Sequence, residues 1–268
     1  MLTNIFGRHG GIGVRPTWAT PEVRAMFSCR HDDSDKMADL DVGFHGRVAV
    51  ERAVANRDRV AHALGMTLDA FVFVRQVHGS HIFHAGVEHR GLGARAVAGD
   101  RPEADAIVTN APGVALAVLV ADCVPVLFFD PVQRVVAAAH SGWRGTVAGI
   151  SGRVVSDMQT RYGSNPADIR VAIGPAMRQC CYEVDDHVAS RVIGTDMELA
   201  LRSRFGRPGK YWFSMPDAIR ADLAHHGIEP SHVDDTGLCT SCRVEHFFSH
   251  RVEQGQSGRQ MAVIALAE

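Results

Sequence analysis

The run GVALAVLVADCVPVLFF, residues 113–129, most constrains what this chain can fold into, because Asp122 and Pro125 cut its apolar length. A membrane-spanning helix needs about 20 largely uninterrupted apolar residues, and proline inside any helix costs about 3 kcal/mol. The β-branched and aromatic residues on both sides of the breaks suit buried strands. An Asp130-Pro131 turn follows, then a second apolar run, RVVAAAH, that ends on His140. Asp122 and Cys123 thus interrupt apolar strands at a place where an aspartate is costly unless something partners it.

Around this centre the chain alternates strand and helix patterns. Residues 1–24 carry Gly, Pro and Thr without periodicity and predict an irregular arm ahead of one domain spanning 25–268, with a first strand near Ala25 to Arg30. Apolar spacing predicts helices over Gly46 to Leu64, Thr146 to Arg161, Val184 to Phe205 and Ser214 to His226. FVFVRQVHGS reads as a strand ending at His78 and Gly79, and ADAIVTN, IRVAIGP, HFFSHRV and QMAVIAL as further strands. Residues 85–102, rich in Gly and Arg, predict a loop. No repeat or linker divides the chain, so the expected class is a single-domain mixed α/β fold.

A formal charge of −2 gives no bulk attraction to nucleic acid or to anionic membrane, so neither is an expected partner. The start, MLTNIFGRHGG, lacks the apolar segment of a signal peptide. Six cysteines, two of them adjacent, suit a reducing compartment better than a disulfide scaffold, and the expected location is the cytoplasm. The oligomeric state does not follow from the sequence; a monomer is compatible with it.

Three polar groups interrupt or close the strands: His78 in RQVHGS, Cys123 in ADCVPV and His140 in AAHSGWRG. One thiolate and two imidazoles suit zinc with a fourth position left for substrate, as in catalytic zinc sites. The same trio also fits a nucleophilic cysteine with a histidine base, oriented by Asp122 or Gln76, or a buried thiol beside two hydrogen-bonded histidines. Spacing alone leaves all three open, because it matches no short zinc motif. SGWRG enters a helix with two glycines and Arg144, a candidate anion site. Cys239 and Cys242 form a CxxC for which Cys180-Cys181 is a poor partner pair, so these four are expected to be ordinary thiols. GxGxxG, GxxxxGK[ST] and GxSxG motifs are absent in the required settings.

The blocks RQVHGS, ADAIVTN, ADCVPVLFFD, AAAHSGWRGT, IGPAMRQCCYEV and HFFSHR followed by SGR resemble the YfiH family, also called laccase-domain or polyphenol-oxidase-like proteins and including FAMIN. The resemblance runs from about Phe27 to the C-terminus. It implies an α/β/β/α layered fold, distantly similar to the catalytic domain of cytotoxic necrotising factor. It implies zinc on His78, Cys123 and His140, which would also be the catalytic residues; apart from the resemblance, Asp122 beside Cys123 either orients a ligand histidine from behind or simply bonds nearby backbone. It further implies purine nucleoside phosphorylase activity on adenosine, inosine and methylthioadenosine, giving free base and ribose 1-phosphate, with adenosine deaminase activity alongside. Ser28, Arg30, Gln76 and Arg144 become the expected substrate or phosphate contacts. Other assignments in the family are an amide hydrolase editing peptidoglycan precursors and a copper polyphenol oxidase. A four-copper oxidase needs about ten histidines, many in His-x-His pairs. This chain has 15 histidines and no such pair, which argues against laccase chemistry, although copper in the trio could oxidise phenols weakly. The block SCRHDDSDKMADLDVGFHG departs from the family pattern, and Asp32, Asp33 and Asp35 add negative charge near the expected phosphate.

Overall fold

A computed structural model describes residues 11–32, 39–44, 47–96 and 101–268. Two sheets stack face to face. The first runs Gly13–Val14, Val23–Ser28, Gln260–Leu266, Ala115–Val120, Phe71–Phe73; the second runs Val233–Asp235, Arg170–Ile173, Val124–Asp130, Val135–Ser141, Ala106–Thr109, Ile82–His84. A smaller sheet joins Glu183–Asp185, Lys210–Phe213 and Leu201–Ser203.

Strand alternation divides the apolar residues between three layers of core. Val23, Ala25, Phe27, Leu116, Val118 and Ile264 meet Ile107, Leu127, Val136 and Ala138 between the two large sheets. Val126, Phe128, Ala137 and Ala139 point the other way, against Val154, Val155 and Met158 of the helix Ile150–Tyr162 and Ile219 and Leu223 of the helix Met215–His225. On the far side, the helix Val50–Ala63 lays Val60 and Ala61 on Met26, Ala117 and Val263. The result is the expected α/β/β/α order. Among the described residues no helix is long and apolar enough to cross a membrane.

Several elements differ from the sequence expectation. Asp122 and Cys123 lie between strands, in the link that carries the chain from the first sheet to the second, and Asp122 takes a left-handed φ of 80°. The strand after Leu68–Ala70 stops at Phe73, so His78 sits in an irregular segment with φ 60°. The predicted helix from Thr146 is two helices, Trp143–Val147 and Ile150–Tyr162, parted by Gly149 at φ 68°. Within Val184–Phe205 only Asp186–Ala189 is α-helical and Glu198–Ala200 a 3-10 turn, because both ends of the segment pair with Lys210–Phe213 in the small sheet, and HFFSHRV forms turns. Within the arm, Gly13 and Val14 form an edge strand that pairs with Ser28 and Phe27. Asp33 and Asp35 lie outside the described residues, whereas Asp32 is paired with Arg59 at 2.7 Å.

Pro125 is the second residue of its strand, at a buried position facing His140, close enough to the strand start for a missing N–H to be tolerated. Its carbonyl accepts from Gly174, 2.9 Å away, and a Cβ on Gly174 would lie 2.4 Å from the Phe27 ring and 2.8 Å from Pro125 Cγ. Gly174→Ala should therefore overpack the layer under the site and lower stability by about 1–3 kcal/mol, read from urea unfolding midpoints at unchanged slope.

Candidate metal and catalytic site

Antiparallel pairing brings the trio to one end of the second sheet. Val124 pairs with Ser141 and Pro125 with His140, so Cys123, at the entry to one strand, meets His140 at the exit of the next. Ala106 pairs with Ala139 on the other side, which sets Asp105 opposite His140. The segment carrying His78 leads into Ile82–His84, parallel to Ala106–Thr109, and so reaches the same end. The ligand atoms of His78, Cys123 and His140 all lie within 4.8 Å of one another, a group able to hold a metal ion. The two imidazoles meet edge to face, with centroids 4.8 Å apart. His140 is buried, Cys123 half-buried and His78 exposed, so the cluster is open on the His78 side.

Asp105 is the group that fixes this arrangement, and it is fully buried. Its carboxylate accepts the backbone N–H groups of Val77 (3.2 Å), His78 (3.0 Å) and Gly79 (2.6 Å) and lies 2.8 Å from His140 Nδ1. Its own carbonyl accepts from the His140 N–H at 2.7 Å. Burial pushes the Asp105 carboxyl up, but His140 and the backbone donors together hold it below the usual carboxylate range. An ionised Asp105 accepts the Nδ1–H of His140 and leaves Nε2 facing Cys123. That is the carboxylate–histidine pairing found behind metal-bound imidazoles.

The glycines of SGWRG serve packing. A Cβ on Gly142 would stand 3.1 Å from both Cys123 Sγ and His78 Cδ2, and one on Gly145 would stand 2.9 Å from the Gly79 carbonyl. Neither glycine is left over for ligand approach; each lets the short helix Trp143–Val147 close against the trio. Burial raises the Cys123 thiol, but the neighbouring His140 and His78 outweigh it and bring the pKa down to about 6. Burial lowers His140, while the Cys123 thiolate and Asp105 raise it to about 9. Thiolate and imidazolium stabilise each other here, and a cation that replaced the imidazolium proton would meet the same negative charge.

Other predicted residues are placed elsewhere. Asp122 touches neither histidine of the trio; it accepts from Thr240 Oγ1 at 2.6 Å and from the Arg251 N–H at 2.7 Å, which offsets its left-handed backbone. Gln76 spends both ends of its amide on Leu119, each bond 2.8 Å, extending the first sheet. Ser28 is fully buried and accepts the Met261 N–H at 3.0 Å. Arg30 pairs with Asp39 at 3.0 Å and Glu253 at 3.2 Å and lies over the Phe248 ring. Arg144 is exposed, stacked over Trp143 at 4.5 Å, and borders a cleft of about 400 Å³ lined also by Val147, Ala148, His187 and Arg191.

Asp105, Tyr182 and Arg251 went unnoticed in the sequence. Asp105 left a signal, since a carboxylate opening the apolar strand ADAIVTN must find donors. Tyr182 and Arg251 left none, because their approach depends on turns. The Arg251 guanidinium lies 5.5 Å from the Tyr182 ring centroid, and burial and the Cys123 thiolate push the Tyr182 hydroxyl up while Arg251 and Arg144 oppose them. Also unexpected, Cys180, Cys181, Cys239 and Cys242 converge with all four sulfurs within 4.8 Å.

The sequence profile of a family described as "Multi-copper polyphenol oxidoreductase laccase" matches residues 24–267. A relative from Geobacillus stearothermophilus named "Purine nucleoside phosphorylase YlmD" is 40% identical over 247 residues, 91% of this chain and 90% of its own. The mouse "Purine nucleoside phosphorylase LACC1" is 34% identical over 80% of this chain, which spans 47% of that protein. The crystal structure of Bacillus licheniformis "hypothetical protein YfiH" superposes with a TM-score of 0.90 at 35% identity, covering 97% of this chain and 98% of its own.

Asp105→Asn keeps the shape but loses the charge on the His140 Nδ1–H, and should weaken metal binding at the trio by about 10–100-fold in competition with a chromophoric chelator. In metal-stripped protein, alkylation of Cys123 should follow a thiolate that disappears as pH falls through about 6. A midpoint near 8.5, the value of an unperturbed thiol, would show that His140 and His78 do not act on it.

Proposed function

The chain belongs to the multi-copper polyphenol oxidoreductase laccase family, and from that membership and the geometry of the site we propose that it is a zinc-dependent purine nucleoside phosphorylase. The observation that carries the proposal is a metal-capable thiolate–imidazole trio whose Cys123 acts on the Tyr182 hydroxyl together with two guanidinium groups, Arg144 and Arg251, neither of which pairs with a carboxylate among the described residues. Relatives that align along nearly the whole chain bear the same activity in their names.

The metal of choice follows from the donors. One thiolate and two imidazoles with an open side suit zinc in a catalytic setting, whereas the four coppers of a laccase demand many more histidines than converge here among the described residues. Zinc held by His78, Cys123 and His140 would supply Lewis-acid chemistry at the exposed side of the trio. Asp105 keeps the His140 ring in one tautomer and one orientation. Arg144 and Arg251 hold inorganic phosphate and offset its charge, so that an oxygen faces the sugar carbon as the bond to the purine loosens. The nucleoside binds on the open, His78 side of the trio. Adenosine deamination at the same centre is the finer part of the proposal.

One observation favours a second reading. Cys123, His140 and Asp105 also stand in the order of a cysteine–histidine–aspartate nucleophile set, with the thiol already lowered to about 6. That geometry would suit an amide hydrolase independent of phosphate and metal.

Chromatography of adenosine incubated with the purified protein separates the two. Adenine formed only with phosphate supports phosphorolysis, and inosine alongside it supports deamination. No product with zinc-loaded protein overturns the proposal in favour of the hydrolase. Cys123→Ala and His140→Ala should each lower the phosphate-dependent rate by at least about 10²-fold. Arg251→Ala should raise the KM for phosphate about tenfold while changing kcat little, because it removes one charge-assisted hydrogen bond.

A further inference from the structure

Four cysteines that the catalytic trio does not use come from two loops, 176–182 and 238–242. These loops are already joined by backbone bonds: Ala176 N–H donates to the Leu238 carbonyl at 3.2 Å, and Thr240 N–H to the Ala176 carbonyl at 3.1 Å. The sulfur of Cys242 lies 3.6 Å from Cys180 and 3.3 Å from Cys181, and all four sulfurs fall within 4.8 Å of one another. A disulfide needs sulfurs about 2.05 Å apart. Zinc–sulfur bonds of about 2.3 Å in a tetrahedron set the sulfurs about 3.8 Å apart, close to the spacing seen. Cys239 and Cys242 also have the CxxC separation in which one short turn supplies two ligands.

Supporting donors are present as well. The backbone N–H groups of Arg178 and Cys242 hydrogen-bond the sulfur of Cys239, the buried member of the group. Cys180 and Cys242 are exposed, which gives an ion a path in.

We propose that Cys180, Cys181, Cys239 and Cys242 form a second metal site, a four-thiolate zinc centre that ties these two loops together. It is chemically distinct from the trio, and it stands whether or not the chain is a phosphorylase. The loops it ties carry residues of the first site's wall. Tyr182 follows Cys181 directly, and Thr240 and Ser241, between the two cysteines of the CxxC, both bond the carboxylate of Asp122 next to Cys123. Closing four ligands around one ion would fix this wall, as structural zinc sites do in small loop-rich regions.

The test is metal analysis of the full chain, purified without added metal or chelator after growth with zinc. About two zinc ions per chain are expected. The double variant His78→Ala with Cys123→Ala should keep about one, and Cys180→Ser with Cys242→Ser should also keep about one. After cobalt replacement, intense sulfur-to-cobalt charge-transfer absorption should persist in the first variant and fall to the weak single-thiolate signal in the second. If the serine variant does not fold, alkylation of the native chain decides: the four thiols should be protected until a chelator is added. A single zinc that disappears in the His78 and Cys123 variant would overturn the proposal. So would equal labelling of the four thiols with and without chelator, or a disulfide between Cys181 and Cys242 in the isolated chain.

Discussion

The carboxylate of Asp105 is the interaction on which the site depends. Fully buried, it collects three successive backbone N–H groups and the Nδ1 atom of His140, and so joins an irregular segment to a sheet end. Without those four donors an ionised carboxylate could not remain in the core. Without the carboxylate, His78 would hang on a segment with a left-handed backbone and no sheet partner. The same bonds set which nitrogen of His140 faces Cys123, and so whether the trio can accept a cation at all. Gly142 and Gly145 then let the following helix close to within contact of the trio, where a Cβ would crowd Cys123 and His78 at one and press on the Gly79 carbonyl at the other.

The layered fold was legible because its signals are local. Apolar runs broken by Asp122, Pro125 and the Asp130-Pro131 turn identify Val124–Asp130 and Val135–Ser141 as buried strands, and the amphipathic stretches before Leu64 and after Ser214 identify their helices. Where expectation failed, tertiary contacts overrode local pattern. The apolar spacing of 184–205 suits a helix, but Val184 pairs with Tyr211 in a small sheet that no period reveals. Gly149 ends one helix and starts another, a break that a single glycine in a periodic run does not announce.

The site was legible in its ligands and hidden in its supports. His78, Cys123 and His140 stand out as polar groups against apolar strands. Ser28, Gln76 and Arg30 are equally polar, yet the structure uses them to satisfy backbone groups or carboxylates of the fold. Sequence cannot tell a polar side chain kept for a substrate from one kept for a neighbouring carbonyl. The four cysteines show the converse: adjacent Cys180 and Cys181 look unsuitable as a pair until two loops fold onto each other, bringing Cys242, 61 residues beyond Cys181, into contact.

The central claim is that Asp105 assembles a one-thiolate, two-imidazole metal site. Anomalous diffraction at the zinc edge, from crystals of the full chain, tests it most directly. An anomalous peak bonded to Cys123 Sγ, a His78 nitrogen and His140 Nε2, with Asp105 still on Nδ1, is the expected result. A trio without a peak in zinc-loaded crystals, or a metal bonded to His140 through Nδ1 with Asp105 displaced, would contradict it.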